Sequence, residues 1–599
     1  MGTRSFPGSA RLLLLALSAV LGFSASGPVR AADAPLLDVD LIWGAKIPMR
    51  DGVHLNATIY RPHGQSEGLP VIFTLTPYIA DSYHERAMFF ARNGYVYALV
   101  DVRGRGSSEG VFDPFAQEDR DGYDVVEWLA KQPWATAKVA MWGGSYAGFD
   151  QWATAKELPP HLSTIVPAAS AHPGVDFPFD DNVFYPYDVQ WLTFTSGKTG
   201  NAKLFGESSF WFAKFKELYL SGRPFADLDE IVGNPLPVFD RWLAHPHPDA
   251  FWDAMVPSPD QFAKISIPIL TITGHYDGDQ QGAFAFYRDH MKYGNTAAKA
   301  SHYLIVGPWD HAGTRTPNPK FGGLEFGPGS VLDLNGLHKE WYDWTMKGGP
   351  RPKFLEKRVA WYTPPGDGWR YADSIDEIAK ETRTLHLDSD GKPGAAADAF
   401  HAGRLSADPA AKAGADTYVY DPKDTRAATW QTADDDDFLT DQSGAMRLSG
   451  DGLVYVSAPF AQATEITGWP RLVAWIALDA PDVDLAAALY EILPSGKSIL
   501  LSGAQMRARY RESVRVAKPV KSGLALPYSF DTFTFFSRQI AAGSRLRLVL
   551  TSPNAIGQQK NWAGGGEVAK ESIKDARTVH VQLLHDRDHP SRLELPIAK

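Results

Sequence analysis

From residue 71 onward, short apolar runs alternate with stretches of helical periodicity. VIFTLTPY (71–78) and YVYALVDVRG (95–104) are short, rich in β-branched and aromatic residues and bounded by Gly or Pro, the pattern of buried strands. DRDGYDVVEWLAKQ (119–132) reads as a helix, and KVAMW (138–142) as the next strand. IPILTITG (267–274) and HYLIVGPW (302–309) are two further strands, separated by the helical stretch QQGAFAFYRDHMKYG (280–294). Strand and helix taking turns in this way predicts a doubly wound, parallel α/β sheet.

Between about His172 and Gln261 the alternation stops. This segment is rich in Trp, Phe, Tyr and Pro and contains no clean strand. It reads as a mostly helical cap inserted over the carboxyl edge of the sheet, where such folds bind ligands. After about Lys353 the texture changes again. RLVAWIALDA, LAAALYEILP and RLRLVLTS are short runs separated by Gly, Pro, Ser and Asp turns, which predicts an all-β sandwich. Residues 391–416, rich in Ala, Gly and Asp, read as exposed loop. The expected organisation is a leader at 1–31, sheet at 32–171, cap at 172–262, sheet again at 263–352 and an all-β domain at 353–599.

The leader carries Arg4 and Arg11, an apolar stretch from Leu12 to about Phe23 and small residues around Ala31, the pattern of a cleavable secretory signal. Its apolar stretch falls short of the ~20 residues that span a bilayer. A periplasmic or secreted protein is therefore expected. Oxidising compartments permit disulfides, yet the chain has no cysteine, so thiol catalysis is excluded. Removing Arg4, Arg11 and Arg30 with the leader takes the formal charge from −11 to about −14, which argues against nucleic acid or anionic membrane as partner. The 18 Trp, 23 Tyr and 32 Phe supply either an aromatic-lined pocket or, for most of them, core packing.

MWGGSYAG (141–148) follows a predicted strand and precedes the helical stretch AGFDQWATAKEL, the context of a nucleophile elbow that presents Ser145 at a sharp corner. Gly143, Gly144 and Gly148 are expected to permit that corner. Alanine stands where Gly-x-Ser-x-Gly has its second glycine. A serine needs a base, and the base needs an orienting carboxylate. In this fold the chain order is Ser, then Asp or Glu, then His. Asp277 just past one strand and His311 just past the next satisfy it. His275 precedes the acid and breaks the order, and Asp310 is adjacent to His311 and poorly placed to face it.

IPMRDGVHLNATIYRP (47–62), DVRGRGSSEG (101–110), QEDRDGYDVVEWLAKQPW (117–134), GGSYAG, GHYDGD and GPWDH together resemble the serine hydrolases that include cocaine esterase, α-amino-acid ester hydrolases, glutaryl cephalosporin acylases and X-prolyl dipeptidyl peptidases (CocE/NonD-type). The resemblance implies an α/β-hydrolase fold with a C-terminal jelly roll, a catalytic triad of Ser145, Asp277 and His311, and an oxyanion hole made by the Tyr146 N–H and the Tyr78 phenol. No cofactor or catalytic metal is implied. The glycines of DVRGRGSSEG fit no phosphate-binding spacing, so Asp101, Arg103 and Arg105 are expected to make internal ion pairs near the site.

The expected substrate is a small ester or amide. The amino-acid ester hydrolases are thought to grip an ammonium with a carboxylate cluster. Here Asp279 follows the triad aspartate, Gln280 stands where another acid would be expected, and Asp180 and Asp181 lie in the cap. The alternative is that Asp180 and Asp181 are solvated and Asp279 caps the helix that follows. An amide-cleaving acylase or dipeptidyl peptidase is the second expectation, and a non-catalytic binding protein using the jelly roll a remote third. The acids at 434–437 lack the spacing of a calcium loop, and homo-oligomer formation is left open.

Overall fold

A computed structural model describes residues 38–598 except 367, 391, 393, 411–413, 434 and 435. The leader at 1–31 lies outside the described residues, as do the first two acids of the 434–437 run.

Ten strands form the first sheet: β1 (Val39–Pro48), β2 (His54–Pro62), β3 (Leu69–Thr76), β4 (Val96–Asp101), β5 (Ala135–Gly144), β6 (Leu162–Ala168), β7 (Ile269–Tyr276), β8 (His302–Asp310), β9 (Val359–Tyr362) and β10 (Trp369–Ala372). Their spatial order is β1-β2-β4-β3-β5-β6-β7-β8-β9-β10. From β4 to β9 every neighbouring pair is parallel. All six residues of β4 are buried, as are seven of the eight in β3, which is why these strands read as unbroken apolar runs instead of alternating ones. Helices α1 (His84–Arg92), α2 (Glu118–Ala130) and α3 (Tyr146–Lys156) join the early strands.

The antiparallel ends of the sheet are not in the sequence reading. Edge strand β1 is largely exposed and shifts register between Ile42 and Ala45, so its sequence shows no strand periodicity. At the other edge, β9 pairs with β8 and β10 with β9, so the first sheet continues past residue 352.

Between β6 and β7 lie a two-strand hairpin (Phe179–Asp180 with Val183–Phe184) and a series of helices, including α4 (Tyr187–Thr195) and α5 (Ser208–Ser221). Trp191, Trp242 and Trp252 of this segment share one apolar cluster with Tyr146 and Phe149 of α3. These tryptophans of the cap are thus packing between cap and sheet. The helices α6 (Gln280–Tyr293) and α7 (Leu334–Lys347) complete this half.

The second sheet begins at Glu381–Asp388, ends at Arg592–Ile597 and has its own apolar core. It forms a C-terminal all-β domain in which nearly all neighbours are antiparallel. Gly403–Ser406 pairs in parallel with Gly452–Ser457, within a segment that reads as loop. Leu405 is buried there, and Gly403 lies so close to Tyr455 that a Cβ would stand 2.6 Å from its ring, so one apolar residue and one close approach make a strand that composition hides. Among the described residues no helix is long and apolar enough to cross a membrane.

Candidate active site

Strand β5 passes directly into α3 through one residue, Ser145, at φ 63° and ψ −128°. Such a conformation costs a non-glycine residue about 1–3 kcal/mol and survives only where the surroundings fix it. The Ser145 N–H donates to the Ala168 carbonyl at 3.0 Å, and its own carbonyl accepts from Gly148 and Phe149 at 2.8 and 3.1 Å. The three glycines permit the corner as expected, by leaving room and not by a positive φ, which none of them has. A Cβ on Gly143 would lie 2.6 Å from Ala147 Cβ, on Gly144 2.5 Å from Arg315 Cδ, and on Gly148 2.8 Å from the Ala168 carbonyl oxygen. They permit close packing around the corner, and the serine itself bears the strain.

The Tyr146 N–H is the first of α3, where no carbonyl within the helix can reach it. Its phenol points elsewhere: it donates to Glu118 Oε1 and accepts from the Phe115 N–H, both at 2.6 Å. Burial pushes the Glu118 carboxyl up to about 7. Tyr78 supplies the opposite wall, with its hydroxyl 3.4 Å from Ser145 Oγ. Trp191 of α4 donates its indole N–H to that hydroxyl at 3.1 Å. With one lone pair so engaged, the phenolic hydrogen is directed away from Trp191.

The turn carrying Tyr78 is held by the loop after β4. Asp101 Oδ1 accepts from the Ala80 N–H at 2.7 Å. Arg103 pairs with Asp121 at 2.6 Å and Asp51 at 2.7 Å, as expected. Arg105 departs from expectation. Fully buried, it donates to the carbonyl of Pro77 at 2.7 Å, to that of Phe194 in the last turn of α4 and to those of Ser196 and Gly197 just after it. It therefore ties the Tyr78 turn to the cap through backbone acceptors.

His311 follows β8, and its Nδ1 lies 2.8 Å from Asp277 Oδ1. Asp277 Oδ2 accepts from Thr273 Oγ1 at 2.8 Å, and Oδ1 from the Asp279 N–H at 3.0 Å, so the carboxylate is anchored on both oxygens. Asp279 Oδ2 stands 3.8 Å from the same ring nitrogen. Burial opposes a charge on His311, but Asp279 and then Asp277 outweigh it and hold the imidazole above its ordinary value. Burial, with Asp176 and Asp277 nearby, pushes Asp279 up to about 8 although His311 pulls it down. The Asp279 side chain makes no cap to α6. His275 is buried with neither ring nitrogen hydrogen-bonded, and its pKa is pushed down to about 3. Gln280 donates to the carbonyls of Gly274, His275 and Phe535 and accepts from the Phe535 N–H, a pattern that a carboxylate could not supply.

Ser145, Tyr78, Tyr146, Asp279 and His311 line one cavity of about 250 Å³, walled by Phe115, Phe177, Tyr187 and Trp191. Asp180 and Asp181 are drawn away from it. Asp180 accepts from Gln281 at 3.2 Å, and its carbonyl accepts from Gln505 of the all-β domain at 3.0 Å. Asp181 accepts from Thr532 at 2.5 Å. Neither is a solvated loop acid: burial raises both, Asp180 to about 6. The sequence does not single out Trp191, and it puts Arg105 near the site but with carboxylate partners, because each acts through a partner distant in the chain. Among the described residues no cluster of His, Asp and Glu is arranged to hold a metal ion.

This arrangement has the parts for acyl transfer: a half-buried hydroxyl that lines the cavity from a strained corner, an imidazole oriented by a buried carboxylate, and two donors beside the hydroxyl. Comparison with known proteins agrees. The X-Pro dipeptidyl-peptidase (S15 family) profile matches residues 51–313, and that of the X-Pro dipeptidyl-peptidase C-terminal non-catalytic domain matches 353–594. Cocaine esterase of Rhodococcus sp. (strain MB1 Bresler) is 27% identical over 585 residues, covering 92% of this chain and 98% of the relative. Two solved structures share the fold. An α-amino acid ester hydrolase has a TM-score of 0.79 at 22% identity, over 95% of this chain and 98% of that one. An aminopeptidase from a marine sediment Thaumarchaeota archaeon has a TM-score of 0.77 at 21% identity, over 96% and 99%. The chain belongs to the CocE/NonD-type family of serine hydrolases, and it is an ester hydrolase of that family.

Proposed function

We propose that the protein cleaves carboxylic esters through an acyl-enzyme on Ser145. The observation that carries this reading is the Asp277–His311 hydrogen bond in the cavity that Ser145 lines. His311 takes the Ser145 proton as Oγ attacks the carbonyl carbon. Asp277 fixes the ring tautomer and offsets the imidazolium charge. The oxyanion is received by the Tyr78 phenol and the Tyr146 N–H. His311 then gives the proton to the leaving alkoxide, and water attacks the acyl carbon by the reverse path. A fluorophosphonate probe should label the intact chain at Ser145, and Ser145→Ala should lose both labelling and hydrolysis. Full esterase activity in that variant would sink the assignment.

The acyl pocket favours an α-amino acyl group. Asp279 brings a carboxyl into an otherwise aromatic cavity, and an ammonium beside it would stabilise its ionised form. An uncharged acyl group would leave that carboxyl unpaired. Matched esters and amides with and without a free α-amine, run on wild type and Asp279→Asn, separate the readings. An amine preference lost in the variant supports it, and no preference in the wild type ends it while leaving the triad intact. The amide arm tests the peptidase alternative that the matched profile suggests. Export is part of the proposal, and the amino-terminal sequence of the mature protein tests it at Ala31 or Ala32.

A further inference from the structure

Two arginines stand beside the nucleophile, and among the described residues neither forms an ion pair with a carboxylate. Arg315 lies in the turn after His311, which is closed by the Thr314 hydroxyl donating to the His311 carbonyl at 2.8 Å and by the Arg315 N–H donating to that of Ala312 at 3.0 Å. Its side chain rests on the end of β5, where a Cβ on Gly144 would stand 2.5 Å from both Cδ and Nη1. The guanidinium is half-buried and makes one long hydrogen bond, from Nη1 to Thr314 Oγ1 at 3.4 Å. Arg86 of α1 lies over the Trp142 ring, 3.4 Å from its centroid, and donates to Nδ1 of His338 at 3.2 Å. Trp142 is two residues before Gly144 on the same strand face, so the two cations are neighbours. Burial pushes Arg86 down to about 10, and the Arg315 charge pushes it the same way.

Asp279 does not serve as the missing partner. It forms no ion pair with Arg315, and burial raises its carboxyl to about 8 against the pull of His311 and Arg315. Partly desolvated guanidinium groups without a counter-ion are costly, and an anion brought by the substrate removes that cost. The geometry says which part of the substrate would bring it. Asp277 holds Nδ1 of His311, so Nε2 is the atom that returns the proton to the leaving oxygen. The leaving group therefore lies along His311, on the side where the turn carrying Arg315 begins. Tyr187, at the start of α4, lines the same cavity with 42% of its surface exposed, and its hydroxyl makes no hydrogen bond to a described residue. Burial raises its phenol, and Arg315 pulls it down. A planar carboxylate matches the fork of a guanidinium and accepts from a phenol as well.

We propose that Arg315, backed by the charge of Arg86, reads a carboxylate on the leaving group, with the Tyr187 phenol as a second donor. The preferred substrates are then esters or amides whose leaving group is anionic. The inference rests on the acyl-enzyme on Ser145 and is independent of what Asp279 binds.

The test compares kcat/KM for two leaving groups, 3-hydroxybenzoate and its neutral analogue 3-hydroxybenzamide, each esterified with alanyl and with acetyl and each normalised to its rate with hydroxide. In the acyl series that is cleaved faster, the wild type should favour the benzoate by about tenfold or more. Arg315→Gln should bring the ratio close to one, Arg315→Lys should keep a reduced preference, and Tyr187→Phe should lower it about threefold. The ratio cancels any effect of these changes on His311, which both esters use. If Arg315→Gln does not fold, the other two variants decide, and an unchanged ratio in both overturns the proposal. It is overturned as well if the wild type cleaves both esters without preference, or if Arg315→Gln retains the preference, and either result leaves Ser145 in its role. Cleavage of no ester, together with no fluorophosphonate labelling, would instead remove the acyl-enzyme and this inference with it.

Discussion

At the scale of single residues, the Tyr78 hydroxyl has two neighbours, accepting from the Trp191 N–H and lying 3.4 Å from Ser145 Oγ. Trp191→Phe keeps an aromatic ring in the cavity wall and removes only the N–H. It should lower kcat about three- to thirtyfold with KM nearly unchanged, while Tyr78→Phe should cost about a hundredfold or more, as loss of an oxyanion donor does. In the Tyr78→Phe background the Trp191 change should add little, and full additivity of the two in steady-state kinetics would refute the coupling. Asp279 belongs to the same scale. In its ionised form it holds the His311 pKa up, and the base must be neutral to act. Activity should therefore fall as pH drops through a value above the ordinary imidazole range. Asp279→Asn should move that acid limb of kcat/KM to lower pH, read with an ester lacking an amine.

At the scale of elements, Arg105 joins the Tyr78 turn to the end of α4, the helix that carries Trp191. Burial pushes its guanidinium down to about 10 although the Asp101 charge pulls it up, and its hydrogen bonds go to backbone carbonyls. Arg105→Ala should strand buried carbonyls and cost about 2–4 kcal/mol, with kcat falling because Tyr78 and Trp191 lose their common tether. Urea unfolding and steady-state kinetics on the same preparation check both effects, and a variant as active and as stable as wild type would remove Arg105 from the site. The positions of Ser145, Asp277 and His311 could be read from sequence because each follows a strand whose apolar run announces it. The Arg105 and Trp191 contacts could not. Their partners are set by how cap and loop fold over one another, and nothing local in DVRGRGSSEG distinguishes an arginine facing carboxylates from one facing carbonyls. Strand β1 was equally hidden, since an exposed edge carries no burial pattern to read.

At the scale of the whole molecule, Gln280 links the two domains, filling the last carbonyls of β7 and both backbone groups of Phe535 with one side chain. Gln280→Glu keeps the shape and loses the donors. It should lower stability by about 2–4 kcal/mol, seen as a reduced thermal inactivation midpoint, and should diminish activity against every ester alike. A variant with wild-type heat resistance would mean that the domains are held elsewhere. Two of the carbonyls that Gln280 satisfies belong to Gly274 and His275, shortly before Asp277, so the strand end that leads to Asp277 is braced through Phe535 from the other half of the chain. The two halves are therefore joined directly behind Asp277. Grafting the all-β domain of a relative onto this sheet would act as an active-site mutation made from a distance, and lineages that exchanged it freely would need to rebuild the contact around residue 280 each time.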